Sequence, residues 1–219
     1  MSQRPRDFHS FGYDGHAVLA ETLKASVYGS LEQAVAALAV YAHPQTVAQT
    51  RGRNTFLVIR GESNGDRGKY SDDGSVMFDD NTAPTEAFVW PHRAMLANYR
   101  DVQFNHLWAD SKTVSMYTNV ANICLLPAFL SKLTDTDKHI RSLLQFRAFA
   151  LFGFLPPGHL APMKPDNYDA LIWADPLSPV RDLEATYRSA MLTKPKNRTR
   201  RSARELGWLF SDFQPDATL

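Results

Sequence analysis

The stretch at residues 102–138, VQFNHLWADSKTVSMYTNVANICLLPAFLSKLTDTDK, places polar side chains at the borders of apolar runs. VQFNHLW alternates between apolar and polar residues, which predicts a strand that ends near His106. A polar loop, a turn and the apolar run NVANICLLP follow, and this run predicts a return strand. Pro127 is typical of the first turn of a helix, here expected to run to about Leu133. The stretch therefore predicts two strands followed by a short helix.

The segments around this stretch predict an α+β fold with central antiparallel strands and flanking helices. Helices are expected at 30–42, 135–152 and 180–192, with Gly153 ending the second. Further strands are expected at 54–61, 75–80 and 85–90, and residues 92–101 form either a helix or an irregular connector. We expect one domain over residues 1–190, with the hairpin and helix at 100–138 as its centre and a mobile basic C-terminal extension at 191–219.

Composition excludes several classes of protein. The 219 residues include 24 basic and 23 acidic side chains, so the net charge of +1 excludes a globally basic DNA-packaging protein. The single cysteine, Cys124, cannot form an internal disulfide or a cysteine-built zinc site, which favours a reduced, cytoplasmic setting. No apolar run reaches the length of a signal peptide core or a membrane span, so no contact with a membrane is expected.

His106 is the candidate for acid–base chemistry. An imidazole at the end of a strand has an unperturbed pKa near neutrality and can accept a proton from water. Asn105 precedes it and, by strand alternation, is expected to face the opposite side. Asn119 and Asn122 follow on the other arm of the predicted hairpin. The structural alternative is a core histidine bonded to a carbonyl, with asparagines that satisfy local backbone groups.

The run FNHLW…YTNVANICLLPAFLSKLTD resembles the ββα-metal core of HNH-type endonucleases. The resemblance implies that His106 is the general base. It implies that Asn122 braces the hairpin and orients the imidazole, with Asn119 as the competing register. It also implies that Asn105 ligates one Mg²⁺ or Mn²⁺ ion. Asn105 is neutral where the family mostly has Asp or His, and the helix lacks the third signature residue, so a carboxylate from Asp135, Asp79 or Asp80 is expected to complete the ligand set.

Three other segments suggest either metal binding or contacts with a nucleic acid. Asp79 and Asp80 follow a predicted strand and are either metal ligands or members of a tight acidic turn. The loop at 60–69 and the run KPKNRTRRSAR at 194–204 carry basic side chains that are expected to bind a phosphate backbone. The structural alternatives are a solvated loop and a solvated tail. The candidates for backbone contacts are Arg60, Arg67, Lys69, Lys194, Lys196, Arg198, Arg200, Arg201 and Arg204.

The leading hypothesis is a metal-dependent endonuclease that hydrolyses phosphodiester bonds in DNA. By resemblance, restriction enzymes are the nearest analogy. The main alternative is a non-catalytic DNA-binding or regulatory protein with a degenerate nuclease fold. A third hypothesis is a hydrolase acting on a small phosphorylated substrate, which requires a deep pocket. DNA is the expected partner, and a homodimer is compatible with the sequence.

Overall fold

A computed structural model describes residues 6–193 and 197–210 and has an α+β fold, as predicted. Short 3₁₀ turns lie at Phe8–Phe11, Asn64–Asp66, Val120–Asn122 and Tyr168–Ala170. The strands are β1 (Val58–Arg60), β2 (Met77–Asp79), β3 (Val102–His106) and β4 (Ile123–Pro127). The helices are α1 (Gly15–Lys24), α2 (Leu31–Leu38), α3 (Pro44–Gln49), α4 (Thr82–Val89), α5 (Val114–Tyr117), α6 (Ala128–Ser131), α7 (Leu133–Thr136), α8 (Lys138–Phe152), α9 (Leu183–Leu192) and α10 (Arg198–Glu205).

The helix ends follow from local side-chain chemistry. The Ser30 hydroxyl accepts a hydrogen bond from the Gln33 amide at the start of α2, and the Asp137 carboxylate accepts two amide bonds at the start of α8. Both satisfy backbone donors that have no partner within the helix. Gly153 ends α8 with φ of 63°, a left-handed conformation that glycine adopts without steric cost. The sequence predicted the Ser30 start and the Gly153 end, whereas it placed the start of α8 too early, at residue 135.

The predicted hairpin is present. β3 and β4 pair antiparallel, with Asn105 opposite Cys124 and His106 opposite Ile123. Alternation along β4 places Ile123 and Leu125 in one core cluster, and Cys124 and Leu126 in a second cluster on the other face. The hairpin thus separates the two halves of the core.

The second sheet differs from the antiparallel expectation. β1 and β2 pair parallel, with Val58 opposite Met77 and Arg60 opposite Asp79. Residues 61–76 reverse direction twice, because a 3₁₀ turn follows Ser63 and an antiparallel bridge then joins Tyr70 to Met77. Two reversals return β2 in the direction of β1, so the turn signals in this loop do not mark a simple hairpin.

Two local predictions were wrong. Residues 85–90 belong to the helix α4 rather than to a strand, because Ala83, Ala87 and Phe88 recur at helical spacing and are all buried. Pro127 is the last residue of β4, and two short helices, α6 and α7, replace the single helix expected after it. For residues 92–101 the structure has the irregular connector, the second of the two alternatives, as a series of turns.

The predicted basic extension is part of the folded body wherever the structure describes it. α10 buries Thr199, Arg200, Ser202 and Ala203. Beyond it, Trp208 forms an antiparallel bridge with Phe56. The basic run therefore contributes a packed helix, because its small side chains at helical spacing fit against the core.

No helix within residues 6–193 and 197–210 combines the length and the apolar character that crossing a membrane requires.

Candidate active site around His106

His106 is held at the end of β3 by Tyr117, the last residue of α5. Its Nε2 donates a hydrogen bond to the Tyr117 carbonyl oxygen at 2.8 Å. The imidazole also stacks on the Tyr117 ring, with 5.3 Å between the ring centres and 21° between the planes. One residue thus fixes both the direction and the plane of the imidazole.

These contacts determine which nitrogen can act as a base. A carbonyl oxygen only accepts, so Nε2 carries the proton in the neutral ring and Nδ1 keeps its lone pair. Nδ1 makes no hydrogen bond within residues 6–193 and 197–210. Burial lowers the pKa of His106; the Tyr117 carbonyl opposes this effect and the nearby Arg60 charge adds to it. The ring is therefore neutral at neutral pH and has one free basic nitrogen.

Tyr117 connects His106 to the acidic segment after β2. Its hydroxyl donates to the backbone carbonyl of Asp80, and its ring is buried. Burial, with a further contribution from the Asp79 charge, raises the pKa of Tyr117 and keeps the phenol protonated. The sequence analysis missed this residue, since nothing in SMYTN distinguishes a tyrosine that contacts both sites from one that only packs.

The two aspartates are bound to arginines. The Asp79 carboxylate is almost completely buried; it accepts from the Ala83 amide at 2.9 Å and from Arg198 Nε at 2.9 Å. Asp80 pairs with Arg67 at 3.2 Å and, more weakly, with Arg198 at 3.6 Å. Burial raises the pKa of Asp79. The pKa of Asp80 is lowered by hydrogen bonds from Thr82 and by the two arginines, which outweigh its partial burial.

Arg60 adds an unpaired positive charge beside the imidazole. It ends β1 and is exposed, and its amide donates to Ser111 in the loop that follows His106. Among the described residues no carboxylate lies within ion-pair distance of its guanidinium. Its charge lowers the pKa of both His106 and Tyr117. Within the part of the chain that the structure describes, a guanidinium without an ion-pair partner thus lies close enough to affect an imidazole whose Nδ1 has no hydrogen bond.

Asn122 braces the connection between β3 and β4, as the resemblance implied, but it does not hold the imidazole. Its side-chain oxygen accepts from the Trp108 amide at 2.9 Å, and its amide donates to the carbonyls of Trp108 and Met116, each at 3.1 Å. Asn119 serves a neighbouring turn by accepting from the Ala121 amide and donating to Gly52 and Ser115. Both asparagines are fully buried, so they position the backbone that presents His106.

The predicted metal ligands do not form one set. Asn105 faces away from His106, and its side-chain oxygen accepts from Thr134 of α7 at 3.3 Å. Asp135 is exposed and pairs with Lys132. Asp79 and Asp80 lie at the end of β2, next to the Tyr117 hydroxyl, but arginines, the Ala83 amide and Thr82 already bind their oxygens. Within residues 6–193 and 197–210, no three His, Cys, Asp or Glu side chains are arranged to hold a metal ion. The residues present do not fit the implied site.

Most of the predicted phosphate-binding cations have partners inside the protein. Arg198 binds Asp79, Arg201 donates to the Gly68 carbonyl at 2.6 Å, and Lys69 pairs with Asp66. The Arg200 guanidinium lies over the Trp90 ring at 5.0 Å. Arg204 lies in the last turn of α10. Lys194 and Lys196 lie outside the described residues.

The chain matched no protein-family profile, no characterised protein and no solved structure in the three comparisons made with them.

Proposed function

We propose that the protein is a nuclease that hydrolyses phosphodiester bonds in DNA, with His106 as general base. The observation that supports this best is the state of the imidazole: neutral, held through Nε2 and free at Nδ1. A base of this kind must be unprotonated and oriented before it can activate water. Without a fixed tautomer, the unprotonated nitrogen would have no defined position from which to accept a proton from water.

In this proposal Nδ1 of His106 takes a proton from a water molecule. The resulting hydroxide attacks phosphorus, the bond from phosphorus to the leaving oxygen breaks, and that oxygen takes up a proton. Arg60 stabilises the negative charge that develops on the phosphate, because a guanidinium forms strong hydrogen bonds with phosphate oxygens. No step is assigned to a metal ion, since the residues near His106 do not form a ligand set.

The test is cleavage of supercoiled plasmid in Mg²⁺, in Mn²⁺ and in EDTA. His106→Gln removes the base while its amide can still donate to the Tyr117 carbonyl. His159→Ala is the matched control, because His159 is exposed and bonded only to its own turn. We expect His106→Gln to lower the nicking rate by about 10²–10⁴-fold and the control to leave it unchanged. Equal nicking by both variants would refute the role of His106, and the EDTA arm decides whether a divalent ion takes part.

The second candidate is a non-catalytic DNA-binding or regulatory protein. It is favoured by the arginines on Asp79 and Asp80, which neutralise the carboxylates that a metal nuclease would use. This function predicts DNA binding that weakens steeply with salt and an absence of nicking in all three conditions. Binding that is retained in His106→Gln would be consistent with it.

A further inference from the structure

A cavity of about 670 Å³ lies between the turn after α4 and the helix α9. Trp90, Pro91, Arg93 and Ala94 line one side, and α9 with the residues just before it lines the other. The volume falls within the range of small-molecule sites in proteins. Its lining combines apolar surface with two guanidinium groups, those of Arg93 and Arg181. We call it the Arg93–Arg181 cavity.

Hydrogen bonds hold the backbone next to both arginines. His92 is fully buried; its ring donates from Nδ1 to the Phe88 carbonyl at 2.6 Å, and its own carbonyl accepts the Met95 amide at 2.9 Å. This fixes the turn that carries Arg93. On the other side, Val180 is held by the Thr46 hydroxyl at 2.9 Å, directly before Arg181. Hydrogen-bonded backbone therefore directly precedes both arginines.

The cavity has an excess of positive charge. Neither Arg93 nor Arg181 has a carboxylate or a hydrogen-bond partner within residues 6–193 and 197–210. Arg200 packs against the Trp90 ring that lines the cavity. Burial lowers the pKa of Arg200; the Glu86 charge opposes this effect and the charge of Arg93 adds to it. Asp182 also lines the cavity, but its carboxylate accepts from the Ala185 amide at the start of α9.

We propose that the Arg93–Arg181 cavity binds an organic phosphate of nucleotide size. Two arginines without an ion-pair partner among the described residues supply positive charge and N–H donors that phosphate oxygens accept, and the apolar wall suits the part of the ligand attached to the phosphate. The phosphate belongs either to a free mononucleotide or to a nucleotide within a strand. This inference goes beyond the nuclease proposal, since the cavity does not include His106.

The test is calorimetric titration of the full chain with deoxyadenosine monophosphate, with deoxyadenosine and with a short single-stranded oligonucleotide. The variants are Arg93→Gln and Arg181→Gln. Arg100→Gln is the matched control, because Arg100 is exposed, has no partner among the described residues and does not line the cavity. We expect each cavity variant to raise the Kd of the phosphorylated probes about tenfold or more, and the nucleoside to bind at least that much more weakly.

The two phosphorylated probes distinguish the sources of the ligand. Mononucleotide binding that depends on both arginines identifies a free nucleotide as a ligand, and dependence seen with the oligonucleotide alone identifies a nucleotide within a strand. No binding of either probe, or equal binding by the cavity variants and Arg100→Gln, overturns the proposal. Nucleotide titration and plasmid cleavage by the wild type separate the two hypotheses: binding that depends on both arginines, in a protein that does not nick plasmid, leaves the cavity site intact and removes the nuclease.

Discussion

Removing the guanidinium of Arg198 tests whether the pair with Asp79 holds α10 on the body of the protein. Arg198→Ala deletes a charged hydrogen bond of 2.9 Å to a carboxylate whose side chain is 1% exposed. Such a bond contributes about 1.5–3 kcal/mol, and the longer pair with Asp80 adds at most about 1 kcal/mol. The Arg198 side chain is 38% exposed, so solvent screens this interaction. We therefore expect Arg198→Ala to lower the free energy of unfolding by about 2 kcal/mol, near the lower end of the summed range.

The assay is urea unfolding of the wild type, Arg198→Ala, Asp79→Asn and the double variant. The double-mutant cycle isolates the interaction between the two side chains, and we expect a coupling free energy of about 1–2 kcal/mol. A coupling below about 0.3 kcal/mol, within the additivity error for independent sites, would show that the Asp79–Arg198 pair does not hold α10 on the body and that its other contacts do.

The pH dependence of the same variants gives a second test. Burial raises the pKa of Asp79 in the folded state, and loss of the cation raises it further. For an acid whose folded pKa exceeds its unfolded pKa, stability falls as pH rises from the unfolded value through the folded value. The deficit of Arg198→Ala is therefore complete at neutral pH and shrinks towards pH ~4, near the unfolded pKa of Asp. A deficit independent of pH would refute the assignment of a buried, charged Asp79.

Four further predictions concern single residues. Asn122→Ala leaves the Trp108 amide without its partner in the core and removes one of the donors to the Trp108 and Met116 carbonyls, so urea unfolding should show a loss of about 1–3 kcal/mol. Gly153→Ala places a side chain at φ of 63° in open space, so the cost is conformational, about 1 kcal/mol in the same assay; a neutral result would contradict the left-handed helix end. Burial raises the pKa of the Cys124 thiol to about 12, so native protein should resist alkylation that proceeds in urea; rapid native labelling would contradict its burial. If His106 is the base, its lowered pKa means that the nicking rate rises with pH below 6.5 and is level at neutral pH; a rate still rising above pH ~7.5 would point to another base.

The hairpin was predictable because its signals are local. Alternation in VQFNHLW and the apolar run before Pro127 are typical of strands, and the structure has β3 and β4 there. The buried brace formed by Asn122 was expected from the resemblance. A carbonyl partner for His106 was one of the alternatives, but the residue that supplies it, Tyr117, was not predictable, since every residue carries a backbone carbonyl.

The errors arose where tertiary contacts outweigh local preference. Phenylalanine, valine and tryptophan in residues 85–90 favour a strand, but Ala83 and Ala87 pack a helix against the core. The six cations at 194–204 predicted a solvated tail. Arg200 is nevertheless buried, because Trp90 and Thr193 supply a ring face and a hydroxyl that the local sequence does not reveal.

Two long-range contacts determine when this protein can complete its fold during synthesis. They are the Asp79–Arg198 pair and the bridge between Phe56 and Trp208. Phe56 packs edge-on against Trp90 and Tyr187, and the bridge to Trp208 extends this cluster to the end of the described chain. When the ribosome has made α9, the aromatic cluster around Phe56 therefore still lacks the packing contact with Trp208. Closing contacts across such long sequence separations is slow. We expect this half of the core to form only after translation has passed Trp208, with Asp79 exposed to solvent until then.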